Sequence, residues 1–262
     1  MLTKIEALCK KPVFWVLAAI GGILIVSVIA AILLLSKPAP QPPAETIPVT
    51  APTQAPTKPT QPTTPPVKGI DVSEHQEKID WQQVKDSGVE FVMIRVGWRG
   101  ETKGQLFADT LAQTHYAGAK AAGLKVGAYI FSQAISVEEG KEEANYLLEQ
   151  TAHWDMDMFL VLNWEHLSNR NRTTAVNAKQ LTAITQAFCQ TIAQGGQKPM
   201  VYFDAYLASS RLHLKELREY PFWLAQYADE MEFPHPVKMW QYTSTGTVPG
   251  ITGNVDINHY YP

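Results

Sequence analysis

Cysteine is nearly absent: the 262 residues include two, Cys9 and Cys189. They lie on opposite sides of a long apolar stretch, so no intrachain disulfide is expected, and no metal-ligand spacing accompanies them. Cys9 precedes that stretch, which is not where a lipoprotein signal carries its modified cysteine. A basic surplus is missing as well. Residues 1–68 hold six lysines and two acids, a net charge of +4, which leaves residues 69–262 with 16 basic and 23 acidic residues, a net of −7. Phosphate binding needs a basic face, so the acidic part is not expected to bind nucleic acid. A neutral or mixed-charge glycan remains compatible with it.

Charge is wholly lacking from Pro12 to Leu35, PVFWVLAAIGGILIVSVIAAILLL. About 20 apolar residues are what a helix needs to cross a bilayer, so residues 12–35 are predicted to form a transmembrane helix. A cleaved signal peptide has a shorter apolar region, roughly 7 to 15 residues, and a small-residue cleavage site, so the length favours an uncleaved anchor. Lys4, Lys10 and Lys11 flank its amino end. By the positive-inside tendency residues 1–11 are cytoplasmic and everything after Lys37 is extracellular, which predicts a single-pass protein of the cell membrane. Large apolar side chains are then scarce in residues 36–68, which hold most of the 18 prolines. That segment cannot bury a core and is expected to be a disordered, extended linker reaching about 3 Å per residue.

From Gly69 to Pro262 the texture changes to short apolar runs alternating with helical patterns. Strands are predicted at Gly69–Val72, Phe91–Val96, Val126–Phe131, Phe159–Leu162, Met200–Phe203, Phe222–Gln226 and Val237–Tyr242, with a last piece around Val255. Helices are predicted at Asp80–Ser87, Ala108–Ala122, Val137–Gln150 and Asn177–Gln194, with Asp80 a plausible N-cap and Ser136 just before the third. Strands alternating with helices imply an α/β fold with a parallel sheet. About eight strands in fewer than 200 residues suggest an irregular TIM-like barrel whose last outer helices are short or missing.

The chemistry concentrates at the ends of these strands. In FLVLNWEH, Phe159–His166, four apolar residues run without alternation and then deliver Asn163, Trp164 and Glu165 to the sheet's carboxyl edge, where barrel active sites lie. An acid beside an indole at the end of an apolar strand loses hydration, which raises its pKa and suits Glu165 to donating a proton near neutral pH. Asp71 in GIDVSEHQ, Asp204 in VYFDAY and Asp256 in GNVDINHY fall at comparable positions. Singly they have bland readings: Asp71 capping a turn with Ser73, Asp204 starting a helix, Asp256 in a loop. Four acids converging on one mouth raise each other's pKa, and clustered carboxylates are the signature of glycosidic bond cleavage. Trp98, Tyr129, Trp164, Tyr202, Tyr227, Trp240 and Tyr242 are placed at the same level, as sugar-stacking rings or as barrel walls. His75, His166 and His259 show no ligand spacing. Asn171-Arg172-Thr173 matches the N-glycosylation acceptor pattern, which matters only in a eukaryotic secretory route.

These segments resemble glycoside hydrolase family 25, the Chalaropsis-type lysozymes or N-acetylmuramidases. The resemblance runs from about Gly69 to Tyr261. It rests on GIDVSEHQEKIDWQQVKDSGVEFVMIRVGWRG, AGLKVGAYIFSQA, FWLAQY, MWQYTSTGTVPGI and GNVDIN. It implies an irregular βα barrel with fewer helices than a complete TIM barrel, and hydrolysis of the β-1,4 bond between N-acetylmuramic acid and N-acetylglucosamine in peptidoglycan. By position it implies catalytic roles for Asp71, Glu165 and Asp256, and for residue 163, where the family normally has Asp and this chain has Asn163. It further implies a retaining reaction in which the substrate's own acetamido group attacks the anomeric carbon. Substrate contacts are expected from Tyr129, Trp164, Asp204, Tyr227, Trp240 and Tyr242. Asp204 stands where a small or amide residue is expected. No cofactor or metal is implied, and a monomer acting on peptidoglycan strands, with residues 12–35 in the membrane, is expected. The alternative is a peptidoglycan-binding module weakened in catalysis by Asn163. Hydrolysis of another N-acetylated glycan such as chitin stays open.

Overall fold

The computed structural model describes residues 64–167 and 171–262. The predicted transmembrane helix at 12–35 and nearly all of the linker therefore lie outside the described residues. Among the described residues no helix is long and apolar enough to cross a membrane.

Eight strands close a barrel: β1 (Val67–Val72), β2 (Phe91–Arg99), β4 (Lys125–Ser132), β5 (Leu160–Trp164), β6 (Pro199–Asp204), β7 (Phe222–Ala225), β8 (Met239–Gly246) and β9 (Val255–Tyr260). The ring runs β1-β9-β8-β7-β6-β5-β4-β2 and closes through the parallel pair β1–β2. A short β3 (Leu106–Ala108) hangs outside it, antiparallel to β2. The sheet is not wholly parallel as expected. β9 runs against both β1 and β8, because no helix separates β8 from β9 and the short Thr247–Asn254 connection returns the chain as a hairpin.

Helices cover only part of the barrel. α1 (Trp81–Asp86) begins where the Asp80 carboxylate accepts the Gln83 N–H at 3.1 Å. α2 (Ala112–Ala121) is four residues shorter at its start than the predicted Ala108–Ala122. Leu106–Ala108 pairs with β2, and the buried Asp109 carboxylate takes the Leu111 N–H at 3.1 Å, holding the chain out of helix there. α3 (Val137–Gln150) carries Ser136 as N-cap and Glu138 and Glu139 in its first turn, which suits the positive helix end. α4 (Ala178–Gln194) opens on a reciprocal capping box between Asn177 and Gln180. After β6 come one short α-helix, α5 (Ala205–Ser210), and a single 3₁₀ turn at Leu214–Glu216, and after β7 no helix.

Strand alternation separates two apolar layers. Val72, Val92, Ile94, Ile130, Leu160, Leu162 and Leu224 face the helices. Phe91, Met93, Val161, Met200, Trp223 and Met239 fill the barrel's interior, with Tyr129 and Tyr202 above them. Gly127 has no side chain because a Cβ there would lie 2.6 Å from the Met93 thioether. This packed plug leaves reactive side chains only one place inside the ring, the mouth at the carboxyl ends of the parallel strands.

Candidate active site

The mouth is built from inward-facing residues one or two positions beyond the plug. β1 presents Asp71, β5 presents Asn163 and then Glu165, and β6 ends at Asp204. Asp256 arrives differently. It lies near the start of β9, and since β9 runs in reverse, that start is at the same mouth, directly opposite Asp71 in the β1–β9 register.

Asp71 is buried and anchored twice: its Oδ2 accepts Nε2 of Gln241 at 2.9 Å and Nδ2 of Asn258 at 2.8 Å. Each amide is itself fixed. Gln241 Oε1 accepts the hydroxyls of Tyr202 and Tyr227, both at 3.1 Å, and Asn258 Oδ1 accepts the indole N–H of Trp223 at 2.8 Å. Burial, followed by the charge of Asp256, pushes the Asp71 carboxyl well above the usual carboxylate range, and Asp71 hydrogen-bonds Asp256. Asp256 is also raised by burial, while that bond from Asp71 favours its ionised form. Both shifts favour a single proton on the pair over two adjacent charges, and the larger rise makes Asp71 the more readily protonated of the two.

Glu165 is raised too. Burial is the main cause; a hydrogen bond from Asn163 opposes it, and the charges of Asp204 and Asp256 add to it. Trp164 does not flank the acid as its place in the sequence suggests. Its side chain points to the opposite face, is 3% exposed in the outer core, and gives its indole N–H to the Ala134 carbonyl at 2.8 Å. The same alternation corrects Trp240 and Tyr242. Gln241 between them faces the interior, so both rings lie on the outer face against His259, and Trp240 is buried with its N–H on the Gln226 carbonyl. Of the predicted substrate-contacting aromatics, Tyr129 is buried at the base of the mouth and Tyr227 is 59% exposed at its rim. Asp204 fulfils its bland reading by capping α5, accepting the Leu207 N–H at 2.7 Å, and stays exposed at the mouth.

At the mouth, Asn163 has unused capacity. It is 7% exposed, and its Oδ1 is buried without accepting a hydrogen bond from any described residue. A buried acceptor left this way is disfavoured by about 1–3 kcal/mol, so it marks a place built for a donor.

Sequence reasoning missed the supports. Gln241, Asn258 and Trp223 orient Asp71, and the two amides stand in strands of mixed composition, MWQYTSTG and VDINHY, where nothing local sets them apart. Gln133, fully buried just after β4, donates to the Glu165 carbonyl at 2.7 Å and the Ser132 carbonyl at 3.0 Å, and receives Asn171 Nδ2 at 3.2 Å. Asn171 is thus spent on the site's scaffold. Arg95 forms a further wall, with Nε on Asp109 at 2.9 Å, Nη2 on Glu74 at 3.3 Å, and its guanidinium 4.9 Å from the centre of the Trp98 ring.

A closed, partly helix-covered barrel with clustered carboxyl groups and an amide at its carboxyl mouth has the architecture of a glycoside hydrolase. The chain belongs to glycosyl hydrolases family 25, whose pattern matches residues 70–251. It is 26% identical over 195 residues to the autolytic lysozyme of Clostridium acetobutylicum, an alignment covering 74% of this chain and 56% of that protein. It is similar in structure to a bacterial lysozyme from Streptomyces coelicolor, with a TM-score of 0.65 and 27% identity over 76% of this chain and 94% of that one. The modular autolysin LytC from Streptococcus pneumoniae, in complex with a synthetic peptidoglycan ligand, gives a TM-score of 0.66 and 25% identity, covering 75% of this chain and 47% of that one. The chain thus spans about half the length of the autolytic lysozyme and of LytC.

Proposed function

We propose that the protein is a peptidoglycan hydrolase that cuts the β-1,4 bond between N-acetylmuramic acid and N-acetylglucosamine with retention, using the substrate's acetamido group as nucleophile. The observation that carries this reading is the juxtaposition of a raised acid, Glu165, with the orphaned Oδ1 of Asn163. The acetamido N–H is the donor that Oδ1 lacks. Accepting it turns the acetamido oxygen toward the anomeric carbon.

In the first step that oxygen bonds to the anomeric carbon, the bond from this carbon to the leaving oxygen breaks, and Glu165 transfers its proton to the leaving oxygen. The ring-closed intermediate carries a positive charge shared with the acetamido nitrogen. In the second step Glu165, now a carboxylate, takes a proton from water as the water oxygen attacks the anomeric carbon and the acetamido oxygen departs. Glu165 ends protonated, as it began. The Asp71–Asp256 pair holds a negative charge beside this chemistry, while the lone proton of the pair prevents two adjacent carboxylates from repelling each other. The autolysin bound to a peptidoglycan ligand and the lysozyme names of the relatives support the choice of substrate.

The amide at 163 also favours a second reading, a wall-binding module with weakened chemistry, since removing one preorganised charge contribution costs roughly a hundred- to thousandfold in rate. Membrane anchorage through residues 12–35, with the amino terminus cytoplasmic and the barrel extracellular, is part of the proposal. It rests on the uncharged run and on the lysines that flank it. The test is incubation of the purified protein with peptidoglycan, counting new reducing ends and identifying fragments by mass. Muramic-acid reducing ends released by the native protein and not by Glu165→Gln are expected. Binding without cleavage, reversed by Asn163→Asp, would establish the second reading instead.

A further inference from the structure

Asn163 and Asp204 stand at the ends of neighbouring parallel strands. The β5–β6 register sets Asn163 beside Tyr202, and alternation then turns Asn163, Glu165, Tyr202 and Asp204 to the same inner side of the ring. Asn163 offers a hydrogen-bond acceptor and no charge. Asp204 offers a charge, and its direction is fixed, because Oδ1 is held by the Leu207 N–H at 2.7 Å as the cap of α5. The Asp71–Asp256 charge comes from the other side of the mouth, from the antiparallel β1–β9 pair.

We propose that Asp204 supplies from β6 the negative charge that Asn163 cannot supply from β5, opposite the positive charge that builds on the sugar as the glycosidic bond breaks. This rests on the hydrolytic reading above. Orientation and charge, which one carboxylate at position 163 would combine, are divided between two strands: the Asn163 amide holds the acetamido N–H, and Asp204 provides the field. Asp204 is exposed, so water screens it in the free protein. A glycan laid across the mouth displaces that water, and the attraction strengthens as the chemistry proceeds.

The same carboxylate acts on the proton donor. The groups facing Glu165 are Asn163 on its own strand, Asp204 on β6, Asp256 on β9, and the phenols of Tyr129, Tyr202 and Tyr227. Apart from burial, the charges of Asp204 and Asp256 are what favour the protonated acid, while the Asn163 amide favours the ionised form. Removing the Asp204 charge should therefore let Glu165 ionise at lower pH.

Asp204→Asn is a clean probe because Asn caps helices about as well as Asp, so α5 keeps its N-terminal bond and the charge alone is lost. The full-length native protein, Asp204→Asn, Asn163→Asp and the double variant are compared for turnover of peptidoglycan across pH, with the Glu165 carboxyl titrated by 13C NMR in the native protein and Asp204→Asn. Asp204→Asn is expected to lower kcat by about 10²-fold with little change in KM. The alkaline limb of activity and the Glu165 titration should both move to lower pH. In the Asn163→Asp background the same change should cost less than about tenfold, because position 163 then carries the charge. Equal losses in both backgrounds, or a Glu165 titration that does not move, overturns the proposal. If the native protein does not cut peptidoglycan while the titration still moves, the hydrolytic reading falls and only the Asp204–Glu165 coupling stands. If it cuts while the coupling is absent, only the role of Asp204 falls.

Discussion

Asp71 and Asp256 face each other across the antiparallel β1–β9 pair, and burial together with the neighbouring charge raises the Asp71 carboxyl well above its ordinary range. The fold thus stabilises the neutral acid at position 71. Its folded pKa lies above the unfolded value of about 3.9, so its contribution to stability is complete below that value and is lost as pH rises through the folded pKa. Asparagine reproduces the protonated form: Oδ1 can accept from Gln241 and Asn258, and Nδ2 can donate to Asp256. Asp71→Asn is expected to melt above the native protein at alkaline pH, with the gap closing toward pH 4. Thermal unfolding across that range checks it, and a gap independent of pH would contradict the raised Asp71 pKa.

Gln133 is a positioning residue. Its amide reaches the Glu165 carbonyl, not the carboxyl, at 2.7 Å, so it holds the backbone that aims the acid. Gln133→Leu leaves that carbonyl without its donor and lets the acid drift. A misplacement of about 1 Å can cost up to about 10²-fold in rate. Kinetics should show kcat down by about ten- to a hundredfold, KM little changed, and the alkaline limb of the pH profile where it was. A shifted limb would mean that Gln133 acts on the proton, contrary to this geometry.

Tyr227 combines an exposed ring with a hydroxyl on Gln241 at 3.1 Å. If the ring serves as a sugar platform, Tyr227→Ala loses a contact of about 0.5–1.5 kcal/mol, roughly a two- to thirteenfold rise in KM. Tyr227→Phe should keep KM and disturb only the hydrogen bond. A rise in KM of the same size in both variants would show that the hydroxyl, and not the ring, does the binding.

The barrel was legible because apolar runs of four to six residues separated by capped helices leave few alternatives. The caps at Asp80, Ser136 and Asn177 sit where local residue chemistry puts them. The acids were legible because strand ends are visible in sequence. Two things were not. Face assignment failed for Trp164, Trp240 and Tyr242, since residue type drew attention where period-two alternation should have: Asn163 and Gln241, their neighbours, own the inner face. Strand direction failed for β9, because an antiparallel return depends on the absence of a helix after β8, which only the closed ring makes necessary. The amide supports of Asp71 span 170 and 187 residues of chain and leave no local trace.

Behind the site, a buried ion cluster governs stability. Arg99, 3% exposed, places Nε 2.6 Å from the fully buried Glu143 Oε1, with further bonds to the Gly104 carbonyl at 2.6 Å and to Glu142 at 2.7 Å. Burial pushes Glu143 up to about 7, with Ser132 and Arg99 pulling it back. Since that value is above the unfolded one of about 4.3, this group stabilises the fold fully below pH 4 and progressively less as pH rises to about 7. Arg99→Leu strands the buried carboxyl and should cost about 3–5 kcal/mol near neutral pH, and less at pH 5, where Glu143 is neutral. Adding Glu143→Leu should recover part of the loss and flatten its pH dependence. Urea unfolding of the two single variants and the double variant at pH 5 and 8 measures both effects. Losses that simply add at either pH would show that the pair is not coupled.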